Sequence, residues 1–270
     1  MKIAITGKGG VGKTTLASLL AHIYAQEGEK VLAIDADPSP NLASAIGFPP
    51  HLVTEIVPIA QMGDLIAERT GAKPGTMGGL FTLNPKVDDI PDRFSATHRA
   101  IRLLQMGGVK KGGSGCLCPE NALLKSLMAH LLLERSEVVI LDMEAGVEHL
   151  GRGTAKAVDA FLIVVEPGRR SLQTARLIRD LAYDLGVPRL YLVGNKVRHE
   201  EDRGFIDRNS PGLPLLGCLS ADPKVIEADL KGMAVFDAAP QVVEEARDIW
   251  QRLERTRLHL SGEVRRDGDN

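Results

Sequence analysis

The chain has 270 residues, 33 Lys+Arg against 35 Asp+Glu, a formal net charge of −2 at pH 7 and three cysteines. A balance this even presents no polyanion-binding surface and argues against a nucleic-acid partner. No run approaches the roughly 18 apolar residues of a membrane span, and the cysteines are too few for a disulfide scaffold. The length suits one large α/β domain, expected over 1–260, with a polar and disordered tail over 261–270. The chain enters its first strand at once, so no signal peptide is expected, and a reduced, cytoplasmic protein is.

The first predicted strand covers 2–6, and Gly7-Lys8-Gly9-Gly10-Val11-Gly12-Lys13-Thr14 follows it directly. That run fits G-x-x-x-x-G-K-[ST], the phosphate-cradling loop of nucleotide triphosphatases. Glycines let successive N–H groups converge on phosphate oxygens. Lys13 is placed to reach the β- and γ-phosphates, and the Thr14 hydroxyl to take a position on Mg²⁺. A helix over 14–27, with Leu16, Leu19, Leu20 and Ile23 at helical spacing, points its positive dipole end at the same anion. The nucleotide-binding residues are therefore Gly9, Gly10, Val11, Gly12, Lys13, Thr14 and Thr15.

A second strand over 31–34 delivers the acidic pair Asp35 and Asp37. Segments 71–79 and 107–115 read as glycine-rich loops, with a further strand at 80–83. The second loop leads into Cys116-Leu117-Cys118. Two thiolates one residue apart can grip a soft or borderline metal but supply half of a tetrahedral set. Val138-Val139-Ile140-Leu141 buries a strand and presents Asp142 at its carboxyl end, the placement of a carboxylate that holds Mg²⁺. Residues 143–146 follow as the segment that senses the γ-phosphate. Strands at 161–165, 190–193 and 215–219 and a helix over 171–185 complete the alternation. The result is a doubly wound, mostly parallel sheet flanked by helices, with nucleotide at the carboxyl ends of the strands. Cys218 lies in an apolar strand and reads as a small hydrophobe. Trp250, Leu253, Leu258 and Leu260 among arginines fit either an amphipathic membrane helix or a last helix packed on the sheet.

Lys8 is a second lysine that the common motif does not need. With it the loop resembles that of the MinD/ParA-like "deviant Walker A" ATPases. That resemblance implies a homodimer closed by ATP, with Lys8 reaching the partner's nucleotide and acting in catalysis with Lys13 and Asp37. It also implies that Asp35 lies near the Mg²⁺ shell, that Asp37 orients the attacking water, and that Asn195 hydrogen-bonds the adenine edge. A guanine site of the N-K-x-D type would need Asp at position 198, where this chain has Arg198.

Segments 8–14, 83–88, 110–121, 142–156 and 195–198 together resemble the CooC-type accessory ATPases of nickel carbon monoxide dehydrogenase maturation. The implied function is an ATP-hydrolysing metallochaperone for a nickel enzyme apoprotein, either that dehydrogenase or acetyl-CoA synthase. A two-fold dimer would pair two copies of Cys116 and Cys118 into a four-thiolate site for Ni²⁺ or Zn²⁺. His149 and His199 are candidate transient nickel ligands, though lone histidines are more often ordinary surface residues. Two alternatives stand beside this reading. A nitrogenase-iron-protein-like reductase would carry an intersubunit Fe–S cluster, but it takes a cysteine from the segment where this chain has Ala145-Gly146-Val147. A positioning switch on membrane or DNA would use the C-terminal stripe, and no stable membrane association is expected.

Overall fold

Short runs rich in Val, Ile and Leu alternate with longer amphipathic ones, and strands alternate with helices accordingly. The computed structural model describes residues 1–75, 80–107, 118–147 and 150–263, with side chains through residue 257. In chain order the first half runs β1 (Lys2–Thr6), α1 (Lys13–Gln26), β2 (Val31–Asp35), α2 (Leu42–Ile46), α3 (Pro50–Glu55), α4 (Gly63–Thr70), α5 (Ile90–Phe94), β3 (Ala96–His98) and β4 (Ile101–Gln105). The second half runs α6 (Pro119–Leu133), β5 (Val138–Asp142), α7 (Arg152–Ala155), β6 (Ala160–Val165), α8 (Arg169–Leu185), β7 (Leu190–Val197), α9 (Glu200–Arg208), β8 (Leu215–Ser220), α10 (Pro223–Lys231), α11 (Val235–Ala238) and α12 (Pro240–Glu263).

The strands form one eight-stranded sheet in the order β3-β4-β2-β5-β1-β6-β7-β8. Every pairing is parallel except β3 with β4. Because successive residues of a strand face opposite ways, each central strand feeds two cores. Leu32, Ile34, Val139, Leu141, Phe161 and Ile163 join one, with α4, α6, α7 and α8. Val31, Ala33, Val138, Ile140, Leu162 and Val164 join the other, with α1, α2, α11 and α12. Two covered faces explain why these strands are continuously apolar.

The outer edge of β8 is closed by side chains of α12. Glu245 accepts from the Ser220 N–H at 2.7 Å, and Arg252 donates to the Leu216 carbonyl at 3.0 Å.

Three features differ from the sequence reading. Residues 80–83 form no strand: Leu80 is fully exposed and Leu83 largely so, with no neighbouring strand to pair with among the described residues. The sheet instead gains the hairpin β3–β4, which lies where the sequence carries the polar residues Thr97, His98, Arg99 and Arg102. The last helix continues through Glu263, beyond the boundary placed at 260.

Trp250 and Leu253 of α12 face inward. Trp250 meets Tyr24 edge-on with ring centroids 6.1 Å apart, and Leu253 is completely buried. Among the described residues no helix is long and apolar enough to cross a membrane. If α12 is a core helix, Leu253→Ala should cost about 2–5 kcal/mol by cavity formation. Leu230→Ala, at a side chain 81 % exposed, should stay within about 0.5 kcal/mol. Urea unfolding of both variants checks this.

Candidate nucleotide site

The phosphate loop sits at the centre of the sheet, at the carboxyl end of β1 and between β5 and β6. Two of its glycines are dictated by crowding. Gly7 has φ +148°, and a Cβ there would lie 2.4 Å from the Val164 carbonyl oxygen. Gly12 has φ +97°, and a Cβ would lie 2.0 Å from Asn195 Nδ2. Val11 drops its side chain into the core and anchors the loop from within. No side chain caps α1 at Gly12, so the first-turn N–H groups are left to an anion, helped by the helix dipole.

Two carboxylates stand side by side below the loop, because β2 and β5 place Asp35 directly against Asp142. Both are buried, at 0 % and 1 % exposure. Asp142 Oδ2 accepts from the Thr14 hydroxyl at 2.7 Å, whereas Oδ1 is buried without a hydrogen-bond partner. Burial pushes the Asp142 carboxyl up to about 7, reinforced by the charge of Asp35 and opposed by the Thr14 hydrogen bond and the Lys13 charge. Burial likewise pushes Asp35 up to about 6. Its oxygens are engaged by backbone: Oδ1 by Asp37 N at 3.2 Å, and Oδ2 by Asn41 N at 3.0 Å and Leu42 N at 2.9 Å. Asp35 therefore folds the 37–42 segment over the site as well as lending its charge.

The orphaned Asp142 oxygen beside a hydroxyl is a hard-oxygen donor set that suits Mg²⁺, which commonly takes one or two protein oxygens and completes its shell with phosphate and water. Lys13 is only 7 % exposed. Its ammonium has no hydrogen bond or salt bridge among the described residues, leaving it available to phosphate. Asp37 is half-buried, past the end of β2, and its Oδ1 accepts from Ser39 N at 2.8 Å. Lys8 is half-exposed, and its side chain has no partner among the described residues.

Asn195 Nδ2 donates to the Val11 carbonyl at 2.7 Å, and Oδ1 accepts from Lys196 N at 2.8 Å. One N–H and one oxygen lone pair of the amide are left over from these two bonds. Sequence reasoning overlooked Thr6 and Lys196. The Thr6 hydroxyl donates to the Glu144 carbonyl at 2.7 Å and accepts from Gly146 N at 3.1 Å, tying the segment after β5 to the end of β1. A hydroxyl closing the apolar run Ile3-Ala4-Ile5 was the available signal.

One cysteine of the predicted pair, Cys118, belongs to another cleft. Cys118 is buried at the N-cap of α6 and lines a cavity of about 540 Å³ with residues 83–88 and one face of that helix. No phosphate-loop residue lines it. Cys116 and His149 lie outside the described residues. His199 is exposed at the N-cap of α9. Cys218 is half-buried against Gly194, and burial pushes its thiol up. Among the described residues no three His, Cys, Asp or Glu side chains gather to hold a metal.

Known proteins match this architecture along most of its length. The family described as the CobQ/CobB/MinD/ParA nucleotide binding domain matches residues 2–235. The carbon monoxide dehydrogenase accessory protein CooC of Rhodospirillum rubrum is 49 % identical over 253 residues, 94 % of this chain and 96 % of that protein. An uncharacterised ATP-binding protein of Methanocaldococcus jannaschii is 49 % identical over 237 residues, 87 % of this chain and 91 % of its own. Among solved structures, the MinD cell division protein of Aquifex aeolicus superposes with a TM-score of 0.62 at 21 % identity, covering 93 % of this chain and 98 % of its own. MinD of Pyrococcus horikoshii, complexed with Mg-ADP, gives 0.63 at 18 % identity, with 92 % of each chain covered. Both likenesses are of fold.

The acid pair has a direct consequence for stability. Asp142 titrates near 7 when folded against 3.8 unfolded, so its favourable contribution is complete below pH 4 and disappears as pH rises through 7. Asp142→Asn should therefore stabilise the nucleotide-free protein at pH 8 by on the order of 1–3 kcal/mol, with the gain vanishing near pH 4. Paired denaturant titrations across that range measure it.

Proposed function

The chain belongs to the CobQ/CobB/MinD/ParA nucleotide-binding family and, within it, to the CooC-type accessory proteins, and from that premise we propose an ATP-hydrolysing accessory protein of nickel-enzyme maturation. The observation that carries the ATPase half is the convergence of an unpaired Lys13 ammonium, the Thr14 hydroxyl and a half-unpartnered Asp142 on one uncapped helix N-terminus. A reaction of this kind needs little covalent chemistry from the protein. Positioning and charge stabilisation do most of it.

In this reading the loop N–H groups and Lys13 bind the triphosphate, and Asn195 meets the adenine edge. Thr14 and Asp142 hold Mg²⁺, with Asp35 behind them; when bound, that ion neutralises charge on the phosphate oxygens. Asp37, at the rim, orients the attacking water. Lys8, unpaired in one copy, reaches the nucleotide of a second copy and makes the closed dimer the hydrolytic species. Lys8→Ala should then leave the fold and Tm unchanged while lowering turnover at least about tenfold, a barrier increase of roughly 1.4 kcal/mol or more. Unchanged turnover would remove the cross-dimer role.

The cargo half rests on the relative's role and on the cysteines. Cys116 and Cys118 from two copies would supply four thiolates for Ni²⁺, or Zn²⁺, and ATP-driven opening would pass the ion to carbon monoxide dehydrogenase or acetyl-CoA synthase apoprotein in the cytoplasm. Equilibrium dialysis with nickel should give one ion per dimer. The Cys116→Ala/Cys118→Ala double variant should bind none above background while retaining ATP binding. Stoichiometric binding by that variant would place the metal elsewhere.

A further inference from the structure

Asn195 and Lys196 are consecutive residues of β7, and successive side chains of a strand normally point to opposite faces. Here both reach the phosphate loop. Asn195 Nδ2 donates to the Val11 carbonyl at 2.7 Å, and Lys196 Nζ donates to the Gly10 carbonyl at 2.6 Å. A bulge makes this possible. Between the pairs Gly194–Cys218 and Val197–Ser220 the β7 strand contains one residue more than β8, and Lys196 takes φ +57°. That left-handed basin is unfavourable for a residue with a Cβ, and bulges of this kind re-aim side chains beside active sites. The ammonium is further held by Glu166 Oε2 at 3.4 Å. Glu166 follows β6, and its N–H donates to Ser171 Oγ at the start of α8.

The direction of the grip matters. In a trans peptide the carbonyl and the following N–H point opposite ways, and the described residues contain no cis bond. Drawing the Gly10 carbonyl toward β7 turns the Val11 N–H away from β7. Its partner is the Lys8 carbonyl at 3.4 Å, beyond the usual hydrogen-bond length, so the donor is scarcely committed. Drawing the Val11 carbonyl the same way does likewise for the Gly12 N–H.

We propose that Lys196 is a positioning residue for the bound nucleotide: gripping the Gly10 carbonyl, it sets the Gly10–Val11 peptide so that the Val11 N–H faces a phosphate oxygen. This rests on the nucleotide-binding reading above. Asn195 and Lys196 thus act as a two-point clasp, and the strained bulge is the device that aims them.

The test compares wild type with Lys196→Met, Lys196→Gly and Lys196→Arg, using MgADP and MgATP binding by calorimetry and the Tm of nucleotide-free protein. Lys196→Met and Lys196→Gly should bind both nucleotides about tenfold more weakly. Lys196→Arg, which can still donate to the carbonyl, should stay within about threefold. Glycine relieves the left-handed backbone, so Lys196→Gly should melt at or above the temperature of Lys196→Met despite the same loss of binding. Equal binding by wild type and both truncated variants overturns the inference alone. Affinity that falls only in step with a falling Tm, in glycine and methionine variants alike, overturns it in favour of a purely structural tie. Folded wild type that binds neither nucleotide overturns the reading beneath and the inference with it.

Discussion

Two buried carboxylates, Asp35 and Asp142, lie against each other at the ends of adjacent central strands. Like charges in so dry a place each disfavour the other's ionisation, and the surroundings can be understood as a partial answer to that problem. Thr14 satisfies one Asp142 oxygen, three backbone N–H groups satisfy Asp35, and Lys13 contributes its charge from the loop. The answer is incomplete by one oxygen, and that shortfall is what a divalent cation can fill.

The scaffold holds this unfavourable arrangement because it is committed on both sides. Each central strand contributes alternate residues to two separate cores, so the positions of Asp35 and Asp142 follow from the burial of Ile34 and Leu141 beside them. Thr6 extends the same logic past the strand ends, binding the segment after β5 to the root of the phosphate loop.

Much of this was legible in the chain because the signals are local. The phosphate loop, the strand leading to Asp142 and the helix after Gly12 are each specified by a contiguous run of residue types. What escaped depends on contacts distant in sequence. The β3–β4 hairpin pairs residues 96–98 with 101–103, and Thr97, His98, Arg99 and Arg102 break up the apolar pattern that would have announced it. Residues 80–83 have the opposite character, a strand-like composition with no strand beside them among the described residues. Lys196 was invisible because its direction comes from a bulge set by the register of β8, and no property of Asn195-Lys196-Val197 alone announces it.

The closure of β8 by Glu245 and Arg252 has a consequence for assembly. An unguarded edge strand is a template on which another chain can continue the sheet. Here an outward N–H and an outward carbonyl of β8 are already taken by α12, while the opposite edge, β3, is only three residues long. Growth by strand addition is thus blocked at one end and given little purchase at the other. Copies of this protein are thereby steered away from open-ended ribbons built by sheet extension.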